Sequence, residues 1–351
     1  MIALTGDVYI PFISDTKLQG KFKDDFYAPF DGCDLVFSNY EAPVAFETME
    51  PREKKSYNLR HLPESLDLFD QRFVLSLANN HIMDFGDNGL RLTLKSLRER
   101  GIPFAGAGLN LEEASRPVYL DRGGSRLAFV AAADPRFQPA KSDSPGTMPA
   151  TPDLLDEVLR AANKNADRVF VSIHAGMEFT RVPTPFMLRL AKVCAESGAA
   201  VVAFHHAHCI SGHTQLGSTD IFWGLGNYCF PRVVPVDFKP WFDSAIVRVH
   251  WEADSSDRKI DVRPIRLNSS GHPSEATGKH TRRIGLVWSR CSTRITSGQG
   301  LRFWRMGSLL RPTYIQMSWV NYLAMIRHMG IQAFLRFLFT TARLYINGGR
   351  K

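Results

Sequence analysis

The sequence predicts an α/β fold, because strand-like and helix-like segments alternate through roughly the first 270 residues. Several strand-like segments are rich in β-branched and aromatic residues and end directly in histidine or asparagine. Such segments are typical of parallel strands whose carboxyl ends meet at one cleft. The predicted strands are residues 2–8, 34–38, 73–78, 126–132, 168–173, 199–204, 220–225 and 245–251.

Three helices are predicted between these strands. The clearest begins after Asp87 and Asn88, which can cap it, and ends at Gly101. The other two cover residues 152–162 and 183–196. Residues 137–151, rich in proline and serine, are predicted to be a mobile loop.

The composition is that of a globular protein, since 44% of the 351 residues are hydrophobic and can build a large core. The five cysteines are scattered and never spaced as a CxxC pair. We therefore expect reduced, mostly buried thiols and neither a disulfide framework nor a thiolate zinc site. The chain opens without a basic leader or a long apolar stretch, which favours a cytoplasmic location.

The net charge of +8 is unevenly distributed. Residues 281–351 contain eleven arginines, one lysine and no acidic residue, whereas the rest of the chain has 31 basic and 35 acidic residues. The sequence therefore predicts two parts, a mildly acidic domain over residues 1–270 and a strongly basic tail over residues 281–351.

Side chains that bind divalent cations follow several of the predicted strands: Asp7, Glu41, Asn80, His81, His174, His206 and His208. Carboxylate, amide and imidazole ligands can hold two divalent cations, which activate water and clamp a phosphoryl group. On an extended segment His206 and His208 would point to the same side, which suits two adjacent metals.

Some of these residues also have an ordinary structural interpretation. Asp7 alone would more often cap a helix or belong to a turn, and His81 alone would be a structural histidine about as often as a ligand. Three imidazoles within residues 205–208 are hard to explain as packing, so this segment favours metal binding. The whole set is a stronger indication than any member.

Seven short motifs carry a resemblance: Gly6-Asp7, Asn39-Tyr40-Glu41, residues 78–86 with the pattern NNHxxDxG, residues 106–110, residues 174–178, His205-His206-Ala207-His208 and Gly226-Asn227-Tyr228. Over residues 1–265 the chain resembles the bacterial capsule-synthesis family CapA, also called the poly-γ-glutamate biosynthesis family. The domain of that family is similar to calcineurin-like metallophosphatases. The resemblance implies a four-layer α/β/β/α sandwich.

The resemblance also implies a site with two divalent metal ions, Mn, Fe or Zn. Their ligands would be Asp7, Glu41 and His208 for the first ion, and Asn80, His174 and His206 for the second. Glu41 would bridge the two ions. His81 would lie nearest the leaving group, and Asp84 would orient it or make it more acidic. Glu178 would support the site or contact substrate, and Asn227 would contact substrate.

The resemblance is incomplete at the first metal. Phosphatases of this superfamily usually begin with Asp-x-His, but the residue two positions after Asp7 is Tyr9. The first ion would therefore lack one imidazole, and would bind weakly or recruit His205 or Asn39.

The basic tail lies outside the resemblance. Residues 328, 332, 336, 340, 343 and 347 would form one polar stripe on a helix that is otherwise mostly apolar, and arginines interrupt the apolar residues too often for a membrane-spanning helix. Either the tail binds an anionic membrane surface, an acidic polymer or an acidic partner, or its helices pack on the domain. The first case would make the protein peripheral on the inner face of the membrane. Nucleic acid is disfavoured, because no recognised binding motif accompanies the charge.

The function predicted first is a metal-dependent, phosphoesterase-like hydrolase. Its substrate would be an anionic polymer or phosphoester in the synthesis or processing of poly-γ-glutamate or capsule polysaccharide. The alternative is a catalytically weak scaffold that binds metal or polymer in a membrane-associated complex, which the missing histidine favours. A third possibility is an amide hydrolase that cleaves a γ-glutamyl bond.

Overall fold

A computed structural model describes residues 1–11, 16–53, 57–233, 239–251 and 258–298, with residues 16–19 as backbone alone. The strands are β1 (Ile2–Val8), β2 (Leu35–Tyr40), β3 (Phe73–Ser76), β4 (Phe104–Ala105), β5 (Ala107–Gly108), β6 (Val118–Arg122), β7 (Ser125–Ala133), β8 (Gly146–Thr147), β9 (Arg168–His174), β10 (Val201–His205), β11 (His213–Leu216), β12 (Thr219–Phe222), β13 (Asn227–Cys229), β14 (Asp243–Trp251), β15 (Arg258–Leu267) and β16 (Pro273–Glu275). The α-helices are α1 (Thr16–Tyr27), α2 (Gly86–Glu99), α3 (Leu111–Ala114), α4 (Pro152–Asn163), α5 (Pro185–Glu196) and α6 (Lys279–Thr296).

Two sheets form the centre of the molecule. The first has the order β16-β15-β14-β1-β2-β3-β4, with β13 also paired to β1, and the second has the order β11-β12-β10-β9-β7-β6. Strands β1 to β4 run parallel, as do β7, β9, β10 and β12. Parallel strands bring their carboxyl ends to one edge of each sheet.

The sheets face each other across an apolar core, and helices cover their outer faces. Phe37 of the first sheet packs against Phe129 of the second with ring centroids 5.1 Å apart. Leu94 of α2 is buried on the outer face of the first sheet, and Leu155 of α4 and Leu190 of α5 are buried on that of the second. Each buried leucine contributes about 1.5–3 kcal/mol relative to exposure. The predicted α/β/β/α sandwich is confirmed.

The predicted strands agree with the observed ones within three residues at each end. Helix α2 begins earlier than predicted, so Asp87 lies in its first turn, where a carboxylate stabilises the helix dipole rather than capping the helix. Helix α5 begins two residues later than predicted, because Thr184 is its cap and accepts a hydrogen bond from Met187 N at 3.2 Å.

Residues 137–151 do not form the mobile loop that their composition predicts. Strand β8 within this segment pairs with β5. Leu111 N donates to Lys141 O at 2.8 Å, and Met148 N donates to Gly106 O at 2.8 Å. These backbone hydrogen bonds fasten the segment to its neighbours at several points.

Helix α6 belongs to the same packed unit as the sheets. Its side chain Ile284 is buried together with Ile210 and Ala245. Arg283 Nη2 donates to Asp243 Oδ1 of β14 at 2.5 Å, and Ser292 Oγ accepts from His213 N of β11 at 2.9 Å. The helix therefore joins the two sheets, and the start of the predicted tail packs on the domain.

The rest of the tail, residues 299–351 with the predicted polar stripe, lies outside the described residues. None of the helices in the described part of the chain is both long and apolar enough to cross a bilayer. All five cysteines are described, and they are buried and unpaired, as predicted.

Candidate functional site

Parallel pairing aligns the strand ends that carry the predicted ligands. In the first sheet Asp7 of β1 lies beside Asn39 of β2 and Asn227 of β13. In the second sheet His174 of β9 lies beside His205 of β10. Side chains that are far apart in sequence therefore meet at one edge of the sandwich.

A close approach of two backbone segments sets the position of Asp7. A Cβ atom on Gly6 would lie 2.0 Å from Gly226 O, so only glycine fits there. Asp7 N donates to the same Gly226 oxygen at 2.9 Å. These two glycines let β1 approach closely enough to hold Asp7 beside Asn227.

Asp7, Glu41 and His208 form a compact buried cluster. One ligand atom from each lies within 4.8 Å of the other two. His208 Nδ1 is 3.4 Å from Asp7 Oδ2, and His208 Nε2 is 3.7 Å from Glu41 Oε1. These are the three residues that the resemblance assigns to the first metal.

Two further side chains contact Asp7. His205 Nδ1 lies 2.9 Å from Asp7 Oδ1, and Asn39 Nδ2 donates to the same oxygen at 2.9 Å. His205 and Asn39 are the residues named from the sequence as replacements for the missing imidazole. Tyr9 packs instead against His61, with ring centroids 5.5 Å apart.

The residues assigned to the second metal are continuous with this cluster. His174 Nε2 lies 2.9 Å from Asn80 Oδ1, and the His174 and His206 rings have centroids 4.9 Å apart. His174 Nε2 is also 3.7 Å from Glu41 Oε1. Glu41 therefore lies between the two sets, with its Oε1 equally far from His174 Nε2 and His208 Nε2.

His206 and His208 reach the cluster by a backbone path that differs from the predicted one. Strand β10 ends at His205, and the next residues form a turn in which His206 has φ 91° and His208 has φ 51°. Positive φ values are uncommon outside glycine and persist where the surroundings hold them. The prediction of an extended HxH segment is wrong, although both rings still border the cluster.

Two buried ligand atoms, Glu41 Oε1 and His206 Nδ1, have no hydrogen-bond partner among the residues that the structure describes. Such an unpaired buried polar atom costs about 1–3 kcal/mol. A divalent cation would satisfy both atoms, and carboxylate, amide and imidazole donors suit Mn, Fe or Zn. The residues present therefore fit the dinuclear site that the resemblance implies.

Burial and neighbouring charges shift the pKa values in the cluster. Burial and the Asp7 carboxylate raise the pKa of Glu41 well above its usual range. Burial opposes the ionisation of Asp7, but hydrogen bonds with His205 and His208 outweigh it and hold the pKa of Asp7 well below its usual range. Burial would lower the pKa of His208, yet Glu41 and Asp7 raise it to about 10. Burial and the charge of His208 lower the pKa of His206 to about 3.

His81 is held by a buried carboxylate. His81 Nδ1 lies 2.6 Å from Asp84 Oδ2, an oxygen that also accepts from Leu59 N at 2.8 Å. The His81 side chain keeps 13% exposure, whereas that of Asp84 is fully buried. Asp84 therefore fixes the orientation of the His81 ring.

The two predicted substrate contacts have different environments. Glu178 is half-buried. The pKa of Glu41 depends first on burial, then on the charges of Asp7 and His208, and then on the charge of Glu178. Glu178 therefore lies close to the cluster. Asn227 is fully buried, its Oδ1 lies 2.8 Å from His208 Nδ1, and its Nδ2 donates to Trp241 O at 3.3 Å. Asn227 therefore orients His208, and its contact with substrate stays a prediction.

Residues that follow β7 also border the cluster, although the sequence did not predict them there. The Phe137 ring centroid lies 4.9 Å from that of His206 and 5.9 Å from that of His174. Arg136 pairs with the buried Asp134 through two hydrogen bonds of 2.8 and 2.6 Å. The sequence could have indicated these residues, because Asp134 and Arg136 come shortly after a predicted strand, as the proposed ligands do.

Two facing sheets whose parallel strand ends gather carboxylate, amide and imidazole side chains define the class of this protein, a four-layer α/β/β/α sandwich with a buried polar cluster at the strand ends. The family description "Bacterial capsule synthesis protein PGA_cap" matches residues 2–232. The chain belongs to this family, as the sequence motifs predicted.

Two curated relatives come from Bacillus. The chain is 30% identical over 246 residues to the "PGA biosynthesis protein CapA" of Bacillus subtilis (strain 168), a match that covers 69% of this chain and 63% of that protein. It is 31% identical over 254 residues to the "Capsule biosynthesis protein CapA" of Bacillus anthracis, covering 70% and 60%. The matches thus span less than two thirds of the length of these relatives.

Among solved structures, a hypothetical protein from Thermus thermophilus aligns with a TM-score of 0.47 and 17% identity, covering 75% of this chain and 98% of that one.

Proposed function

We propose that this chain is a metal-dependent, phosphoesterase-like hydrolase that acts in the synthesis or processing of a capsular polymer. Its substrate is an anionic polymer or phosphoester, with poly-γ-glutamate and capsule polysaccharide as the candidate polymers. The family and the names of the two Bacillus relatives support the capsular role. The cluster at the strand ends supports the chemistry.

One observation carries the proposal for the site. Glu41 Oε1 is buried, has no hydrogen-bond partner among the described residues, and lies 3.7 Å from both His174 Nε2 and His208 Nε2. A carboxylate oxygen in this position has the surroundings of a ligand shared by two cations. A purely structural carboxylate at this depth would be expected to accept hydrogen bonds through both oxygens.

The residues proposed to hold the ions are those that the resemblance implies, and the contacts around Glu41 support them. The first set is Asp7, Glu41 and His208, and the second set is Asn80, His174 and His206, with Glu41 shared. When bound, two divalent ions would supply an acidified water molecule and stabilise negative charge on a phosphoryl group. The chain itself orients the ligands, because Asn227 holds His208 and both His205 and Asn39 hold Asp7.

The remaining residues of the cleft position the substrate and move a proton. Asp84 engages His81 Nδ1, which leaves Nε2 as the ring nitrogen free to act as the general acid toward the departing oxygen. Phe137 covers the His174 and His206 rings and limits the access of water on that side. Arg136, held by Asp134, adds a cation for an anionic substrate.

Metal content and turnover, measured together on substituted full-length protein, test this proposal. We expect His206→Ala to reduce bound metal, measured by plasma mass spectrometry, because its ring would be a ligand. His81→Ala should keep most of the metal and lower turnover of an aryl phosphate by about 10²–10⁴-fold, the range for a lost general acid. His250→Ala, at an exposed position of β14, is the matched control and should change neither quantity.

The outcomes separate the possible roles. Equal metal loss in His206→Ala and His81→Ala would make His81 a ligand and remove its assignment as general acid. Cleavage of poly-γ-glutamate without cleavage of the aryl phosphate would identify an amide hydrolase that uses the same cluster.

A second candidate is a catalytically weak scaffold that binds metal or polymer. The observation in its favour is that Tyr9 packs on His61 where the superfamily has an imidazole, while His205 and Asn39 already satisfy one oxygen of Asp7. Bound metal without turnover of either substrate would favour this function.

A further inference from the structure

Helix α6 has an outer face whose side chains are exposed in the described part of the chain. On its inner side Ile284 and Cys291 are buried against the domain. On its outer side Lys279, Arg282, Leu286, Arg290 and Arg294 are all exposed and recur at intervals of three or four residues, so they lie in one stripe along the helix. We call these five residues the α6 stripe.

The stripe combines positive charge with an exposed apolar side chain. Four of its five members are cations, and α6 contains no aspartate or glutamate to neutralise them. Leu286, at the centre, is 56% exposed and is one of three exposed large hydrophobic side chains among the described residues. A shallow groove of about 470 Å³ lies beside it, lined in part by Arg282, Leu286 and Arg290.

The stripe is presented as a fixed surface. Arg283 Nη2 donates to Asp243 Oδ1 at 2.5 Å, and Ser292 Oγ accepts from His213 N at 2.9 Å, so both halves of the helix are tied to the sheets. A surface that is already ordered loses less conformational entropy when it binds.

We propose that the α6 stripe docks the protein on an anionic lipid bilayer. Cations arranged around a leucine match such a surface, because the headgroups attract the charges and the side chain of Leu286 can enter the interface. An acidic polymer would pair with the cations but would offer no apolar environment for the side chain of Leu286. The sequence after the helix is also strongly basic, since residues 299–351 contain seven arginines, one lysine and no acidic residue.

The proposal predicts both the lipid preference and the size of the effect. The full-length protein should sediment with phosphatidylglycerol vesicles and not with phosphatidylcholine vesicles, and salt should weaken the binding. Each basic residue close to such a surface is worth about a fivefold change in affinity, so Arg282→Gln with Arg290→Gln should weaken binding about 25-fold. Leu286→Ser should weaken it about fivefold with little change in salt dependence.

A charge-matched control separates the stripe from the net charge of the protein. Lys141 and Lys192 are exposed and belong to other segments than α6, so Lys141→Gln with Lys192→Gln removes the same charge and should leave vesicle binding within about twofold. Equal weakening by both double variants, or no binding of the unmodified protein to phosphatidylglycerol vesicles, would overturn the proposal. Unchanged vesicle binding by the stripe variants, combined with lost binding of soluble poly-γ-glutamate, would make a polymer the occupant and would also overturn it.

Discussion

Glu41→Gln tests the cluster most directly, because it removes one charge and keeps the shape of the side chain. Glu41 is fully buried, and its Oε2 accepts a hydrogen bond from Asn39 Nδ2 at 3.3 Å. A glutamine can keep that acceptor. It replaces the other oxygen with an NH2 group and removes the carboxylate charge that burial and the neighbouring Asp7 disfavour, the two main reasons why the pKa of Glu41 is raised.

Without metal we expect Glu41→Gln to be neutral or stabilising by about 1 kcal/mol, at the low end of the cost of an unsatisfied buried group. For a domain of this size that raises the Tm by about 2–4 °C. With metal bound, the unmodified protein should be more stable than the variant. The unmodified protein should gain about 2.7 kcal/mol at a metal concentration 100 times its Kd, and the variant should gain much less because a shared ligand is lost.

The assay is thermal unfolding in EDTA and in Mn²⁺ or Zn²⁺, with bound metal measured on the same samples. Glu196→Gln, which changes an exposed carboxylate of α5, is the control and should respond to metal as the unmodified protein does. If Glu41→Gln lowers the Tm equally in EDTA and in metal, Glu41 is a structural hydrogen-bond acceptor and the reasoning fails.

Two further predictions concern the fold. Gly6→Ala should lower the free energy of unfolding by about 3 kcal/mol or more, because its Cβ would lie 2.0 Å from Gly226 O. Gly20 is a helical position with no described atom within 4 Å of an added Cβ. Gly20→Ala should therefore raise the free energy of unfolding by about 0.5–1 kcal/mol. Urea unfolding measures both, and equal effects would contradict the close approach. Burial lowers the pKa of His61 from 6.5 to about 3, so the unfolded chain binds a proton that the folded chain does not, and stability falls as the pH drops from 6.5 towards 3. Below pH 6, His61→Phe should therefore reduce the slope of stability against pH by about 1.4 kcal/mol per unit; unchanged slopes would rule out this contribution.

The strands that carry the site could be predicted from the sequence because they are buried on both faces. Their β-branched residues form continuous apolar runs, and a polar residue at the end of each run is conspicuous. Strand β15 (Arg258–Leu267) was missed, because it mixes charged side chains with apolar ones and contains Pro264, as exposed strands often do.

Other features of the site depend on contacts between distant segments. The turn at His206 and His208 has positive φ values that no local sequence rule predicts for histidine. The burial of Asn227 follows from its register beside Asp7 and from its hydrogen bond to the backbone oxygen of Trp241. The placement of Phe137 over two histidine rings likewise requires the three-dimensional path of the segment after β7.

The order of strands in the first sheet has a consequence for how the protein is made. Strand β1 is synthesised first, yet its neighbours are β2 on one side and β13 and β14 on the other. A nascent chain that has emerged only as far as β12 therefore leaves one edge of β1 unpaired and lacks the Asn227 that holds His208. Such long-range pairing slows folding. A ligand that recognises the assembled cluster would bind no fragment that ends before β13, and its uptake would report that this part of the first sheet has formed.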